Sequence, residues 1–187
     1  MLVSRVYRRV FEVAGTIASA ARIVHLRLKY PGIRINLGCR VARGCHISCS
    51  DGSHLILTNV NIRENVVLIA DDGGKMEISN SYIGFGSVLV AGFSIQINDN
   101  CALAEMVVIR DQDHRFGDGL DLQSSGMERS PITLGRNVWL GSKATILRGV
   151  TIGDNAVIGA SAVVTKDVAA GSLAVGIPAK VVKEIGR

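Results

Sequence analysis

The chemistry this chain can do centres on one histidine. His114 closes the tetrad DQDH (Asp111 to His114), and the polar, glycine-rich stretch RFGDGLDLQSSGMERS (Arg115 to Ser130) follows it. A hydroxyl group has a pKa far above neutral and must lose its proton as it attacks a carbonyl. Imidazole, with an ordinary pKa of about 6.5, is the side chain best matched to take that proton. Asp111 and Asp113 precede it. Either would suit orienting the imidazole or holding an acceptor, and the competing reading of both is a polar corner; neither is placed in the catalytic set. His25, His46 and His54 lie far upstream. Cys45, His46 and Cys49 resemble half of a metal site, but no second pair completes four ligands. No metal is expected. Cys39, Cys45, Cys49 and Cys101 do not make a disulfide framework and read as small apolar core residues.

What must position His114 is a repeat. From Leu134 the same kind of residue returns every sixth position: Leu134, Leu140, Ile146, Ile152, Ile158, Val164. A small or β-branched residue stands four later each time: Val138, Ala144, Val150, Ala156, Ala162, Val168. A period of six is neither helical nor simply alternating. It describes a prism whose six-residue units each make a short strand and a corner, with both repeat positions pointing inward. Gly135, Gly141, Gly153 and Gly159 follow four of the repeat residues, and a corner needing positive φ would explain them. Upstream the same step is read at Ile35, Val41, Ile47, then Ile56, Ile62, Leu68, then Ile83 and Leu89, and after a two-residue slip at Ile97, Leu103 and Ile109. SDGSH (Ser50 to His54) and DDGGK (Asp71 to Lys75) are turns between these runs. Counted from Ile109, Asp113 falls at the inward place and His114 points outward. An excursion as long as 115–130 in so tight a repeat is functional or disordered.

The words PITLGRNVWLGSKATILRGVTIGDNAVIGASAVVTKDV, followed by AVGIPAKVVKEI, resemble the hexapeptide-repeat acyltransferase superfamily, most closely its sugar O-acetyltransferases and the xenobiotic and maltose/galactoside branch. The resemblance has specific motifs from about Ile97 to Glu184. It implies an all-β fold, a left-handed parallel β-helix of hexapeptide repeats with an N-terminal α-helix, an excursion loop and a short C-terminal tail. The left hand departs from the usual right-handed crossover and rests on the resemblance. It also implies acetyl-CoA as cosubstrate, His114 as base, and a homotrimer. Carried over by position, Trp139 of NVWLG lies beside the thioester arm and Gly141-Ser142 at the oxyanion. Ser142, Ala160, Thr165 and Lys166 match coenzyme positions, and Lys180 and Lys183 match basic positions near the adenosine phosphate. Lysine suits a phosphate as a point charge. The maltose/galactoside branch carries an Asn before the catalytic coil. Phe85-Gly86-Ser87 stands there instead, so that branch's simple-sugar acceptor is not carried over. The DxDH form and basic first helix look more like enzymes that decorate cell-surface polysaccharides.

Residues 1–30 form the expected helical segment and 31–187 the β-helix, with the loop at 115–130 and the tail at 169–187. Val3, Val6, Tyr7, Val10, Ala14, Ile17, Ala21, Val24 and Leu28 follow helical steps, with basic residues between them. This helix either caps the open end of the prism or meets a membrane or partner. Pro31-Gly32 ends it. Arg5, Arg8 and Arg9 before a modest apolar run faintly imitate a signal peptide, but Glu12 interrupts that run and the reading is set aside. No apolar run reaches the length of a membrane span. Aromatic residues are only 4% of the chain, as a narrow prism filled by aliphatics requires. The net charge of +5 suits an anionic partner such as coenzyme phosphates or an acidic glycan. No basic stripe interleaves with aromatics, so nucleic acid is not expected.

The leading expectation is therefore transfer of an acetyl group from acetyl-CoA to a hydroxyl of a sugar or cell-surface polysaccharide precursor, with a small-molecule or glycan acceptor. The expected location is cytoplasmic, where acetyl-CoA is found, or peripheral to the inner membrane through the first helix. Rival acceptors are an amino sugar or an antibiotic. Rival classes are a zinc enzyme resembling the γ-carbonic anhydrases, for which the histidines are too few, and a non-catalytic β-helix scaffold.

Overall fold

The computed structural model describes residues 2–50, 52–117, 119, 121 and 124–185, with side chains described from Val13 onward. The helix positions Val3 to Val10, the basic residues Arg5, Arg8 and Arg9, and Glu12 therefore lie outside the described side chains. The chain opens with α1 (Leu2–Lys29) and then winds as a parallel β-helix of three faces. The first face stacks Ile33–Ile35, His54–Thr58, Lys75–Ser79, Ser94–Ile97, Ile132–Leu134 and Thr151–Ile152. The second runs from Arg40–Val41 through Trp139–Leu140 and Val157–Ile158 to Ser172–Val175 and Lys180–Glu184. The third runs from His46–Cys49 through Val108–Arg110 and Thr145–Ile146 to Val163–Val164.

The repeat residues fill the interior. Leu57, Ile78, Ile97, Leu134 and Ile152 stack in register up the first face, and all are buried. Each such side chain gains about 1.5–3 kcal/mol by leaving water. Ile62, Ile83, Leu103, Leu140 and Ile158 do the same on the second face, and Leu68, Leu89, Ile109, Ile146 and Val164 on the third.

One upstream phase is corrected. Ile56 points outward and is only half-buried, while Leu55 and Leu57 on either side are inside. Leu57 is the partner of Ile35. The turn before this strand has a length that shifts the count by one, and an all-apolar Leu-Ile-Leu run hides the shift.

The glycine expectation is corrected too. Gly135 and Gly141 do not have positive φ; Asn137, Lys143, Asn155 and Ser161 take that conformation instead. Gly141 is required by close approach: a Cβ there would lie 2.6 Å from the Ala160 backbone nitrogen on the next coil. The Asn residues at the first-to-second edge serve twice. Asn59 and Asn80 adopt the left-handed conformation that Asn tolerates. Their side chains link consecutive coils, from Asn36 to Asn59 at 2.8 Å, Asn59 to Asn80 at 2.9 Å and Asn80 to Asp99 at 2.7 Å.

Helix α1 covers the open start of the prism. Ile23 is buried against it, the Ser19 hydroxyl accepts the Val41 N–H at 2.8 Å, and Arg22 donates to the Val41 carbonyl at 3.0 Å. Arg27 donates to the Ile35 carbonyl. These bonds satisfy backbone groups that a first coil would otherwise leave bare. The opposite side of α1 leaves Val13, Ile17, Val24 and Leu28 exposed. Among the described residues no helix is long and apolar enough to cross a membrane.

The segment after the third face's Val108–Arg110 strand leaves the prism. It does so as an antiparallel hairpin, Gln112–His114 with Met127–Arg129, and not as a loop beginning at Arg115. The tail is likewise ordered: Ser172–Val175 extends the second face and Lys180–Glu184 turns back against it.

Candidate active site

His114 ends the outgoing strand of the hairpin, opposite Met127, and is exposed. The exposure agrees with the expected outward direction, but the hexad phase is not its cause. That phase ends with Ile109, and the hairpin pairing sets the orientation beyond it. Among the described residues no side chain hydrogen-bonds the imidazole.

The two carboxylates before it are committed elsewhere. Asp111 is fully buried, and its carboxylate accepts three backbone N–H groups: Gly92 at 2.8 Å, Phe93 at 2.9 Å and Ser94 at 2.7 Å. It ties the root of the hairpin to the preceding coil's corner, and its own carbonyl accepts the Ser130 N–H at 3.0 Å where the hairpin returns. The inward place that counting gave to Asp113 is not inward. Asp113 is half-exposed and accepts Arg148 Nε at 2.9 Å. The other arm of Arg148 reaches Glu128 at 2.8 Å. Asp113 and Glu128 are directly opposed across the hairpin, so one guanidinium from the next coil grips both strands. Arg129 supplies a second anchor, to Asp72 at 2.6 Å and to the buried Gln112 at 3.4 Å. Beside this anchor Asp71 Oδ1 is buried with no hydrogen-bond partner among the described residues. Burial, and next the neighbouring Asp72, push its carboxyl above the usual range.

The other candidate residues sit on different edges of the prism. Trp139 stands outward on the second face, more than half exposed, between Ala102 and Val157 in register. Gly141, Ser142 and Ala160 stack at the edge between second and third faces. Thr165 and Lys166 are exposed at the edge between third and first, two coils beyond the root of the hairpin. Lys180 and Lys183 are exposed on the last strand of the second face. The structure thus groups His114 with Thr165 and Lys166 by edge, and Gly141, Ser142 and Ala160 by another. The two groups stand at opposite ends of the third face, with the width of that face between them.

The oxyanion expectation at Gly141-Ser142 is narrowed. Gly141 N–H is spent on the Ile158 carbonyl at 2.7 Å, and Lys143 N–H on the Glu105 carbonyl at 2.8 Å. The N–H groups of Ser142 and Ala160 make no hydrogen bond with a described residue. Glu105 is a residue that sequence reasoning missed. It accepts the Ser142 hydroxyl at 2.8 Å, and its own backbone N–H, then that hydroxyl, hold its carboxyl below the usual range. Among the described residues no group of three or more His, Cys, Asp or Glu side chains is placed to hold a metal ion.

Residues 131–166 match the family model described as bacterial transferase hexapeptide (six repeats). Those residues carry the hexapeptide repeat of bacterial transferases. A probable acetyltransferase of Mycobacterium tuberculosis is 36% identical over 66% of this hexapeptide-repeat chain and 42% of its own length. The galactoside O-acetyltransferase of Escherichia coli is 41% identical over 57% of this chain and 52% of its own. This chain therefore spans about half the length of the curated relatives it matches. Among solved structures, AntD, an N-acyltransferase from Bacillus cereus in complex with dTDP and 3-hydroxybutyryl-CoA, superimposes with a TM-score of 0.72 at 22% identity. That match covers 86% of this chain and 88% of AntD, and it is a likeness of fold.

Proposed function

We propose that this hexapeptide-repeat chain is an acetyl-CoA-dependent O-acetyltransferase that modifies a hydroxyl of a sugar or cell-surface polysaccharide precursor. The observation that carries the reading is His114 projected on a clamped hairpin from a hexapeptide-repeat prism, exposed and with no side-chain hydrogen bond to its imidazole among the described residues. In this reading the imidazole takes the acceptor's hydroxyl proton as that oxygen bonds to the thioester carbonyl carbon. The carbon–sulfur bond then breaks, and the imidazolium returns its proton to the departing thiolate of coenzyme A. No acyl-enzyme forms; holding donor and acceptor together supplies much of the rate.

The N–H groups of Ser142 and Ala160, which no described residue accepts, support placing the thioester arm along the second-to-third edge. Lys180 and Lys183 offer charge for the coenzyme's phosphates, with Thr165 and Lys166 on the further edge. His114 and this edge stand a whole face apart on one prism, and that separation supports a homotrimer in which each site is shared between neighbours. The outward side of the third face is apolar at Val67, Ile69, Val88, Val90 and Val108, and only part of it is covered within one chain. We place the enzyme in the cytoplasm, where its donor is made.

Calorimetric titration with acetyl-CoA tests the donor. Binding near one per chain, followed by release of coenzyme A thiol with a glycan acceptor and a product whose acetyl group is alkali-labile, supports an ester. An alkali-stable amide product would replace the hydroxyl acceptor by an amine. No acetyl-CoA binding up to millimolar concentration would leave a scaffold.

A further inference from the structure

The first coils hold a second concavity that the acetyl-transfer reading does not use. A cavity of about 530 Å³ opens between α1 and the start of the second face. That volume falls within the range of about 300–1,000 Å³ typical of small-ligand sites. Four arginines line it: Arg22 from α1, Arg40 from the first strand of the second face, and Arg43 and Arg63 from the edge that follows. Glu64 is the one carboxylate among the described lining residues.

The four are not equally committed. Arg22 uses one nitrogen on the Val41 carbonyl, which fixes the helix. Arg63 pairs with Glu64 at 3.2 Å. The side chains of Arg40 and Arg43 make no hydrogen bond or ion pair with any described residue, and both residues are exposed. Like charges gathered around a concavity repel one another, and capping the prism needs only Ser19, Arg22, Ile23 and Arg27. Every cation here is Arg rather than Lys. The guanidinium is a planar fork that matches phosphate oxygens two at a time.

We propose that the Arg22, Arg40, Arg43 and Arg63 cavity binds a phosphoryl or diphosphoryl group, at a site separate from the acetyl donor's. Two sources share that chemistry. One is the headgroup of an anionic lipid in a bilayer on which α1 lies, its exposed Val13, Ile17, Val24 and Leu28 entering the acyl boundary. The other is a soluble phosphorylated compound. The site does not rest on His114 or on acetyl transfer.

The test uses the full chain and the Arg40→Gln/Arg43→Gln double variant, whose thermal unfolding should match that of the unaltered protein. Inorganic pyrophosphate is titrated calorimetrically. Binding to phosphatidylcholine vesicles with and without phosphatidylglycerol is read by co-sedimentation. Each arginine removed should weaken binding about fivefold, the usual contribution of a basic side chain at an anionic surface, while acetyl-CoA affinity stays unchanged. Pyrophosphate binding lost in the double variant assigns a soluble source. Binding to phosphatidylglycerol vesicles alone, lost in the double variant and also in Ile17→Glu, assigns the lipid headgroup. The proposal is overturned if neither ligand binds, if the double variant binds as tightly as the unaltered chain, or if coenzyme A displaces the pyrophosphate.

Discussion

Replacing Asp111 by alanine removes three hydrogen bonds at once. The carboxylate is fully buried and accepts the N–H groups of Gly92, Phe93 and Ser94 at 2.7–2.9 Å. A hydrogen bond to a charged group contributes about 1.5–3 kcal/mol net, and a buried donor left unpaired costs about 1–3 kcal/mol. Gly92 is buried and would stay unpaired, whereas the exposed Phe93 and half-exposed Ser94 would recover water. The expected loss is therefore about 2–4 kcal/mol, well short of three full bonds. That is a large part of a domain stability of about 5–15 kcal/mol. Asp111→Asn keeps the shape and one acceptor oxygen, and should lose about half as much. Urea unfolding followed by circular dichroism reads both, with the midpoint shifting and the slope unchanged. The hairpin root loosens with the corner, so turnover falls while acetyl-CoA binding persists. A stability change below about 0.5 kcal/mol, the range of an ordinary surface substitution, would refute the corner role. Abolished turnover at unaltered stability would make Asp111 a catalytic carboxylate instead.

Arg148→Met separates the hairpin's position from its stability. Both partners of Arg148 are about half exposed, so each pair contributes under about 1 kcal/mol to folding. Turnover should drop about tenfold or more, since small displacements of a positioned base are costly, with acetyl-CoA affinity held; Arg148→Lys should restore part of it. Equal turnover in Arg148→Met would refute the clamp. Asp71 offers a pH test. Its folded carboxyl is raised above the unfolded value by burial first. A raised acid makes its full contribution to stability below the unfolded pKa and loses it as pH rises through the folded one. Asp71→Asn should thus stabilise at pH 7 and bring no gain at pH 3, read as the melting temperature across that range. A melting temperature at pH 7 lower than that of the unaltered chain would show that the unpaired oxygen has a ligand or solvent partner.

How legible each part was follows from how local its cause is. From Leu134 to Val164 each inward residue repeats on the next coil with nothing inserted, so counting alone placed Leu140, Ile146, Ile152 and Ile158 in the core. At Leu55, Ile56 and Leu57 three apolar residues in a row carry no alternation, and the preceding turn shifted the phase unseen. The glycines were visible as a pattern, but their cause was on the next coil: backbone approach at Ala160, not a φ requirement at Gly141. His114 was found because imidazole chemistry and the break in the repeat coincide there. The strands of its hairpin were not, because QDH and MER are short and polar. Their support comes from Arg148, on the next coil, and from Asp72, far upstream, which holds the strand's own Arg129. Glu105 beside Ser142 was missed for the same reason. The first helix was legible as amphipathic, but nothing local marks which of its sides meets the prism.

The central claim is that His114 accepts the acceptor's proton. The direct measurement is the rate of coenzyme A thiol release by His114→Ala, with acetyl-CoA affinity measured on the same protein. The account predicts a loss of about 10²–10⁴-fold in kcat with acetyl-CoA still bound as tightly as before. Full turnover in His114→Ala would contradict it and move the base elsewhere on the prism.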